Sequence, residues 1–177
     1  NTNAIMCWPD LPIYLKDAFY EAFSHEAMTA ESRPGRIPER QWRKLLLKAK
    51  AELVRCSCGS EQFMPHGLTE IDCSNTKCRK KIKQDALLHS VYDVCLQVGK
   101  KIYPYQFDDN SNEFSKACGI VVAHPKDPQL KGIKNLSEES WSVLTAEGRK
   151  TECPQGRSVG IKSGNSLCIL GSKAEIQ

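Results

Sequence analysis

The stretch Arg55-Cys56-Ser57-Cys58-Gly59, followed by Asp72-Cys73-Ser74-Asn75-Thr76-Lys77-Cys78-Arg79, decides how this chain is read. It gathers four cysteines in two pairs, with fourteen residues between Cys58 and Cys73. That interval is long enough to run out and back as a short hairpin. Four thiolates delivered this way are the ligand set of a structural zinc site. Zn²⁺ favours tetrahedral thiolate coordination, and four sulfurs leave no open position for a substrate water. The expected ligands are Cys56, Cys58, Cys73 and Cys78, holding structural Zn²⁺. Cys-x-Cys is rarer than Cys-x-x-Cys, so His66 in place of one of the first pair stays open as an alternative.

Working outward, the 177 residues divide into three expected parts and an α+β fold class: a helical segment at 1–55, a zinc ribbon at 56–85 and an all-β sandwich at 86–177. Leu15, Phe19, Ala22 and Phe23 recur at helical spacing, with Asp10 as a cap and Pro12 in the first turn. Ser, Pro and Gly break the pattern over 29–35. A second helix starts near Pro38, with Trp42, Leu45, Leu46, Ala49 and Leu53 as its apolar stripe. Arg40, Arg43, Lys44, Lys48 and Lys50 fall mostly off that stripe and read as a solvated face. The ribbon is too small to bury enough apolar surface alone. Metal binding supplies most of its folding free energy, on the order of 10 kcal/mol for finger-like sites.

Beyond residue 86, turn signals recur about every ten residues between short apolar runs, which points to a sandwich or barrel. The runs include Gly119-Ile-Val-Val-Ala123, Trp141-Ser-Val-Leu144 and Leu167-Cys-Ile-Leu170. No internal repeat or low-complexity tract is seen.

Composition narrows the function classes. A net charge of +4 with 26% charged residues is ordinary for a globular protein. Nine cysteines are an odd number, and those outside 56–78 are irregularly spaced. Reduced thiols in a cytoplasmic protein are expected rather than a disulfide framework. No run approaches the ~20 apolar residues that cross a bilayer, and the first residues do not read as a signal peptide. A start at Asn1 rather than Met is expected of a piece of something longer.

Catalytic constellations are scarce. Neither a Gly-x-x-x-x-Gly-Lys phosphate loop nor His-Glu-x-x-His occurs. Gly156-Arg-Ser158-Val-Gly160 matches a nucleophile elbow in letters only, since turn residues follow it and no histidine lies beyond His124. The histidines are scattered, and the pairs Asp108-Asp109 and Glu138-Glu139 sit in apparent loops. Lys77, Arg79, Lys80, Lys81 and Lys83 form a basic cluster at the second cysteine pair. It reads as a solvated face or docking surface, with nucleic-acid binding as the alternative.

Three blocks carry a family resemblance. Leu11-Pro-Ile-Tyr-Leu-Lys-Asp-Ala-Phe-Tyr-Glu-Ala-Phe23, Arg33-Pro34 and Glu39-Arg-Gln-Trp42 resemble the end of a protein-kinase-like C-lobe. The cysteine segment follows. Then come His124-Pro-Lys-Asp-Pro128, Gly132-Ile-Lys-Asn-Leu136, Trp141 and Pro154 to Val159. Together they resemble the C-terminal region of bacterial kinases of TerY-P triads, which are tellurite-resistance-associated. There the kinase is encoded beside a von Willebrand A protein and a metal-dependent 2C-type phosphatase. Asn135 to Val143 and Arg157…Gly171 also resemble parts of a forkhead-associated (FHA) sandwich, without its Ser-x-x-His and Asn-Gly.

The kinase loop, strand lysine, His-Arg-Asp and Asp-Phe-Gly are absent from the chain. The resemblance therefore implies a noncatalytic, zinc-containing region that docks the von Willebrand A protein, with the phosphatase as a second possible partner. A metal-ion-dependent adhesion site on that partner would take a carboxylate, with Asp108, Asp109, Glu138 or Glu139 as candidates.

Overall fold

A computed structural model describes residues 7–29 and 36–177. A 3-10 turn at Trp8–Asp10 precedes α1 (Ile13–Ala22), α2 (His25–Thr29) and α3 (Glu39–Glu52). Asp10 belongs to that turn, and Pro12 is the N-cap of α1 with no side-chain cap. The cap expected from Asp10 fails because Leu11 and Pro12 are extended and leave the aspartate two residues ahead of the cap position. Pro38 precedes α3 as expected, its fixed φ suiting the entry. Arg33-Pro34 lies outside the described residues.

α1 packs against α3 through Ala18, Ala22 and Ile37, with Trp42 and Leu45 completing the cluster. Phe23 and Leu46, expected on the apolar stripes, are instead largely exposed. The face of α3 that carries Leu47 and Ala51 looks the other way, into the core of the β region. α3 is thus buried on two sides, which a single-stripe reading of its sequence does not anticipate.

Helix α3 runs without a loop into β1 (Leu53–Arg55), which pairs antiparallel with β2 (Glu61–Phe63). A second hairpin joins β3 (Glu70–Asp72) to β4 (Lys81–Lys83). Val54, Met64 and Ile82 form a small core under both hairpins. Leu87 and Cys95 from the next segment close it from below.

From residue 86 the chain is β structure with one 3-10 turn. β5 (Ala86–His89), β6 (Val94–Leu96), β10 (Trp141–Leu144), β11 (Lys150–Cys153), β13 (Ser166–Ile169) and β14 (Ser172–Ile176) form one sheet, ordered β11-β10-β13-β14-β5-β6. β7 (Lys101–Ile102), β8 (Gly119–Ala123), β9 (Lys131–Asn135) and β12 (Ser158–Gly160) form the other, ordered β12-β9-β8-β7. Every pairing is antiparallel. Alternate residues of both sheets, such as Val121, Ile133, Leu167 and Ile169, meet in one core around the fully buried Trp141. Gly119 is required beneath that indole, because a Cβ there would sit 2.9 Å from the ring.

The basic residues of α3 do not form a free solvated face. The Arg43 guanidinium donates to the carbonyls of Asp109 and Ser111. Lys44 pairs with Asp109 at 2.7 Å, and the Tyr92 hydroxyl donates to the same carboxylate at 2.7 Å. Lys48 lies over the Tyr14 ring. The contacts of Arg43 and Lys44 join residues more than sixty apart in sequence, so periodicity on the helix alone does not reveal them.

The hydrogen bond from Lys44, helped by Tyr92, holds the Asp109 carboxyl below its ordinary value of 3.8. A depressed native pKa means stabilisation that is present above the ordinary value and lost as pH falls through the native one. Wild type should therefore lose stability on acidification below about pH 4, more steeply than an Asp109→Asn variant. Denaturant midpoints from pH 7 down to 2 check this. A gap between the two proteins that fails to narrow on acidification contradicts it.

Candidate metal centre

The two hairpin turns place the cysteines. At the first, the Cys56 amide donates to the Ser60 carbonyl at 2.8 Å, and the Gly59 amide donates back to Cys56 at 2.9 Å. Gly59 adopts φ +93°, a left-handed conformation that glycine takes without strain. At the second, the Cys73 amide donates to the Lys80 carbonyl at 2.9 Å, and the Cys78 amide to Asn75 at 2.8 Å. The Asn75 side chain accepts from the Lys77 amide at 3.1 Å, an Asx turn that shapes the loop. Arg79 takes the left-handed position here, at φ +52°.

These turns bring four sulfurs together. The Sγ atoms of Cys56, Cys58, Cys73 and Cys78 all lie within 4.8 Å of one another. The shortest separations cross between hairpins, 3.6 Å for Cys56–Cys78 and 3.7 Å for Cys58–Cys73. Zn–S bonds of about 2.3 Å in a tetrahedron set sulfur–sulfur edges near 3.8 Å; the two inter-hairpin edges match that spacing, and the cluster could hold a metal ion. Cys56 and Cys73 are buried, Cys78 is half-buried and Cys58 is exposed.

The thiols are unequal. The Cys58 backbone amide draws the Cys56 thiol down to about 6, aided by hydrogen bonds from the neighbouring thiols and opposed by desolvation. Desolvation pushes Cys73 up to about 11, against the pull of the Asn75 amide. Cys56 ionises readily while Cys73 and Cys78 resist, and negative sulfurs this close repel one another. A divalent cation at the centre removes that repulsion, and its binding releases protons.

Residues beyond the cysteines support the cage. Gln62 of β2 donates to the Asp72 carbonyl at 2.7 Å and accepts from the Ser74 amide at 2.6 Å. It thus ties the first hairpin to the second. Lys80 reaches Ser57 at 3.2 Å, and Asn75 approaches the Cys58 sulfur at 4.0 Å. The Asn two residues before Lys77 is a local signal that sequence could have supplied. The role of Gln62 is tertiary and has no such signal.

The other candidate residues do not join the site. His66 lies in the exposed β2–β3 turn and is no part of the sulfur cluster. His89 pairs with Asp93, and the His124 ring accepts from the Lys126 amide within a turn. Ser158 opens the edge strand β12, so the strand-to-helix setting of a nucleophile elbow is missing. Within the basic cluster, Lys81 pairs with Asp72 at 2.8 Å and Lys83 with Glu70 at 2.8 Å. The remaining cysteines form no disulfide among the described residues; Cys95, Cys118 and Cys153 are buried, Cys7 and Cys168 exposed.

Comparison with protein-family models, with curated proteins and with solved structures gave no match for this chain. No helix among the described residues is long and apolar enough to cross a membrane. The functional reading rests on the residues themselves.

Proposed function

We propose that this chain is the noncatalytic, zinc-containing interaction region of a kinase-like protein, and that it docks a von Willebrand A-type partner. The sulfur cage carries the reading. Four converging cysteines with no open ligand position make a scaffold rather than a reaction centre. The cysteine hairpins form the zinc ribbon of that region, joined to an FHA-like β domain by a shared core at Leu87 and Cys95. The reading places the protein in a reducing cytoplasm, in keeping with its unpaired thiols. A 2C-type phosphatase is the second partner of the scheme.

The FHA-like loop is proposed to bind protein without capturing phosphate. In the β9–β10 connection, Asn135 and Ser137 spend their polar groups inward, and Glu138 and Glu139 face solvent. Phosphate recognition needs converging cations and free donors, and carboxylates there oppose it. Asp109 is half-buried and held by Lys44 and Tyr92, so a carboxylate offered to a partner's metal comes from Asp108, from Glu139, or from Glu138 on release of its exposed pair with Lys116 at 3.0 Å. Nucleic-acid binding is the weaker alternative, because two of the five clustered cations are neutralised across their own hairpin.

Titration calorimetry of the zinc-loaded chain against a von Willebrand A domain from a TerY-P triad tests the proposal. Saturable binding that drops at least about tenfold in a Glu138→Gln, Glu139→Gln double variant is expected, from the loss of charged contacts. No binding heat, together with a salt-sensitive mobility shift of single- or double-stranded nucleic acid, would move the assignment to the alternative.

A further inference from the structure

The cage is not protected evenly, and that has a chemical outcome. Three of its thiols are covered to some degree, Cys56 and Cys73 fully and Cys78 in part. Cys58 is exposed, at the tip of the first hairpin. Its closest partner across the hairpins is Cys73, at 3.7 Å. A structural zinc–sulfur site with all four ligands buried resists oxidants, whereas an accessible thiolate is the point at which they enter.

We propose that the Cys58–Cys73 pair is an oxidation site, through which a peroxide expels the zinc and staples the two hairpins together. The inference rests on the zinc reading above. The Cys58 thiolate attacks one peroxide oxygen, forming a sulfenic acid and releasing hydroxide. The Cys73 thiolate then attacks the Cys58 sulfur, and a second hydroxide leaves. Two thiolates, one hydrogen peroxide and two protons thus become one disulfide and two waters. Sulfur supplies both electrons, and zinc keeps its charge throughout. Left with two sulfurs, the ion has lost half its ligands and departs. The small core of Val54, Met64 and Ile82 loses its anchor, and Leu87 and Cys95 carry the disturbance into the six-stranded sheet. Thiol reductants reverse the bond, so the modification can act as a signal.

The test treats the zinc-loaded full chain with hydrogen peroxide while a chromogenic chelator reports released metal. Peptide mapping after alkylation identifies the first bond formed. The expected result is release of about one zinc per chain, with Cys58–Cys73 as the first disulfide. Zinc should return to the site after dithiothreitol. A Cys7→Ser, Cys168→Ser variant, lacking the two other exposed thiols, should release zinc at the same rate. Retention of zinc after Cys7 and Cys168 have been oxidised overturns the inference. So does release in which Cys56–Cys78 forms first, or release through sulfinic acid with no disulfide. A chain that carries no zinc before peroxide is added refutes the metal reading itself, and this inference with it.

Discussion

Replacing Cys73 with serine should leave the purified chain nearly free of zinc, where the parent holds about one ion per molecule. Cys73 is buried, and its backbone closes the second hairpin through Lys80, so no neighbouring ligand can shift to replace it. The hairpins bury few apolar side chains of their own, so a metal held by the four cysteines would supply most of their stability. The midpoint of thermal unfolding should fall by about 10 °C or more, given several kcal/mol lost in a chain of this length. The loss should reach the β region, since Leu87 and Cys95 pack in the hairpins' core from β5 and β6 of the six-stranded sheet. Cys168→Ser, at an exposed site on β13, should change neither zinc content nor midpoint. Elemental analysis and calorimetry check both. A Cys73→Ser protein that keeps its zinc, or loses it without a drop in midpoint, removes the structural role assigned to the cage.

The second large effect belongs to Asn135, which has no exposed surface. Its Nδ2 donates to the carbonyls of Glu139 and Cys153 at 2.8 and 2.9 Å. Its Oδ1 accepts from the Ser137 amide and hydroxyl at 2.8 and 2.7 Å. The same hydroxyl receives the Trp141 indole N–H at 3.0 Å. One amide therefore fixes the β9–β10 loop, the end of β11 and the central indole together. Alanine leaves several of these groups unpaired in a dry interior, at a cost of about 3 kcal/mol or more. Urea unfolding should show that loss. Trp141→Phe, which removes one hydrogen bond and part of a ring, should cost less. A loss below about 1 kcal/mol for Asn135→Ala would mean that the network contributes little.

The legible parts of this chain are those whose cause is local. Each cysteine pair sits in its own hairpin turn, so spacing alone announces the cage. Pro38 and the apolar repeat mark α3, and the runs at Gly119–Ala123 and Trp141–Leu144 mark β8 and β10. β11, Lys-Thr-Glu-Cys, is hidden because it is an edge strand with one buried residue. β14, Ser-Lys-Ala-Glu-Ile, is central yet anchors itself with only Ala174 and Ile176. Its hydrogen bonds to β13 and β5 hold what its side chains do not advertise. The contacts of Arg43 and Lys44, read from the sequence as solvated, and of Gln62 are hidden for a third reason. Their partners lie in other elements, and no spacing along one element encodes them.

The direct passage from α3 into β1 has a mechanical corollary. Lys100 locks that joint by donating to the carbonyls of Lys50, Ala51 and Leu53, with 2.6 Å to the last. Leu47 and Ala51 seat the same helix in the β core. The junction is a strut rather than a tether. Any molecule gripping the helical end and another gripping the sheets would be kept at a set distance and angle, as two tools on one handle.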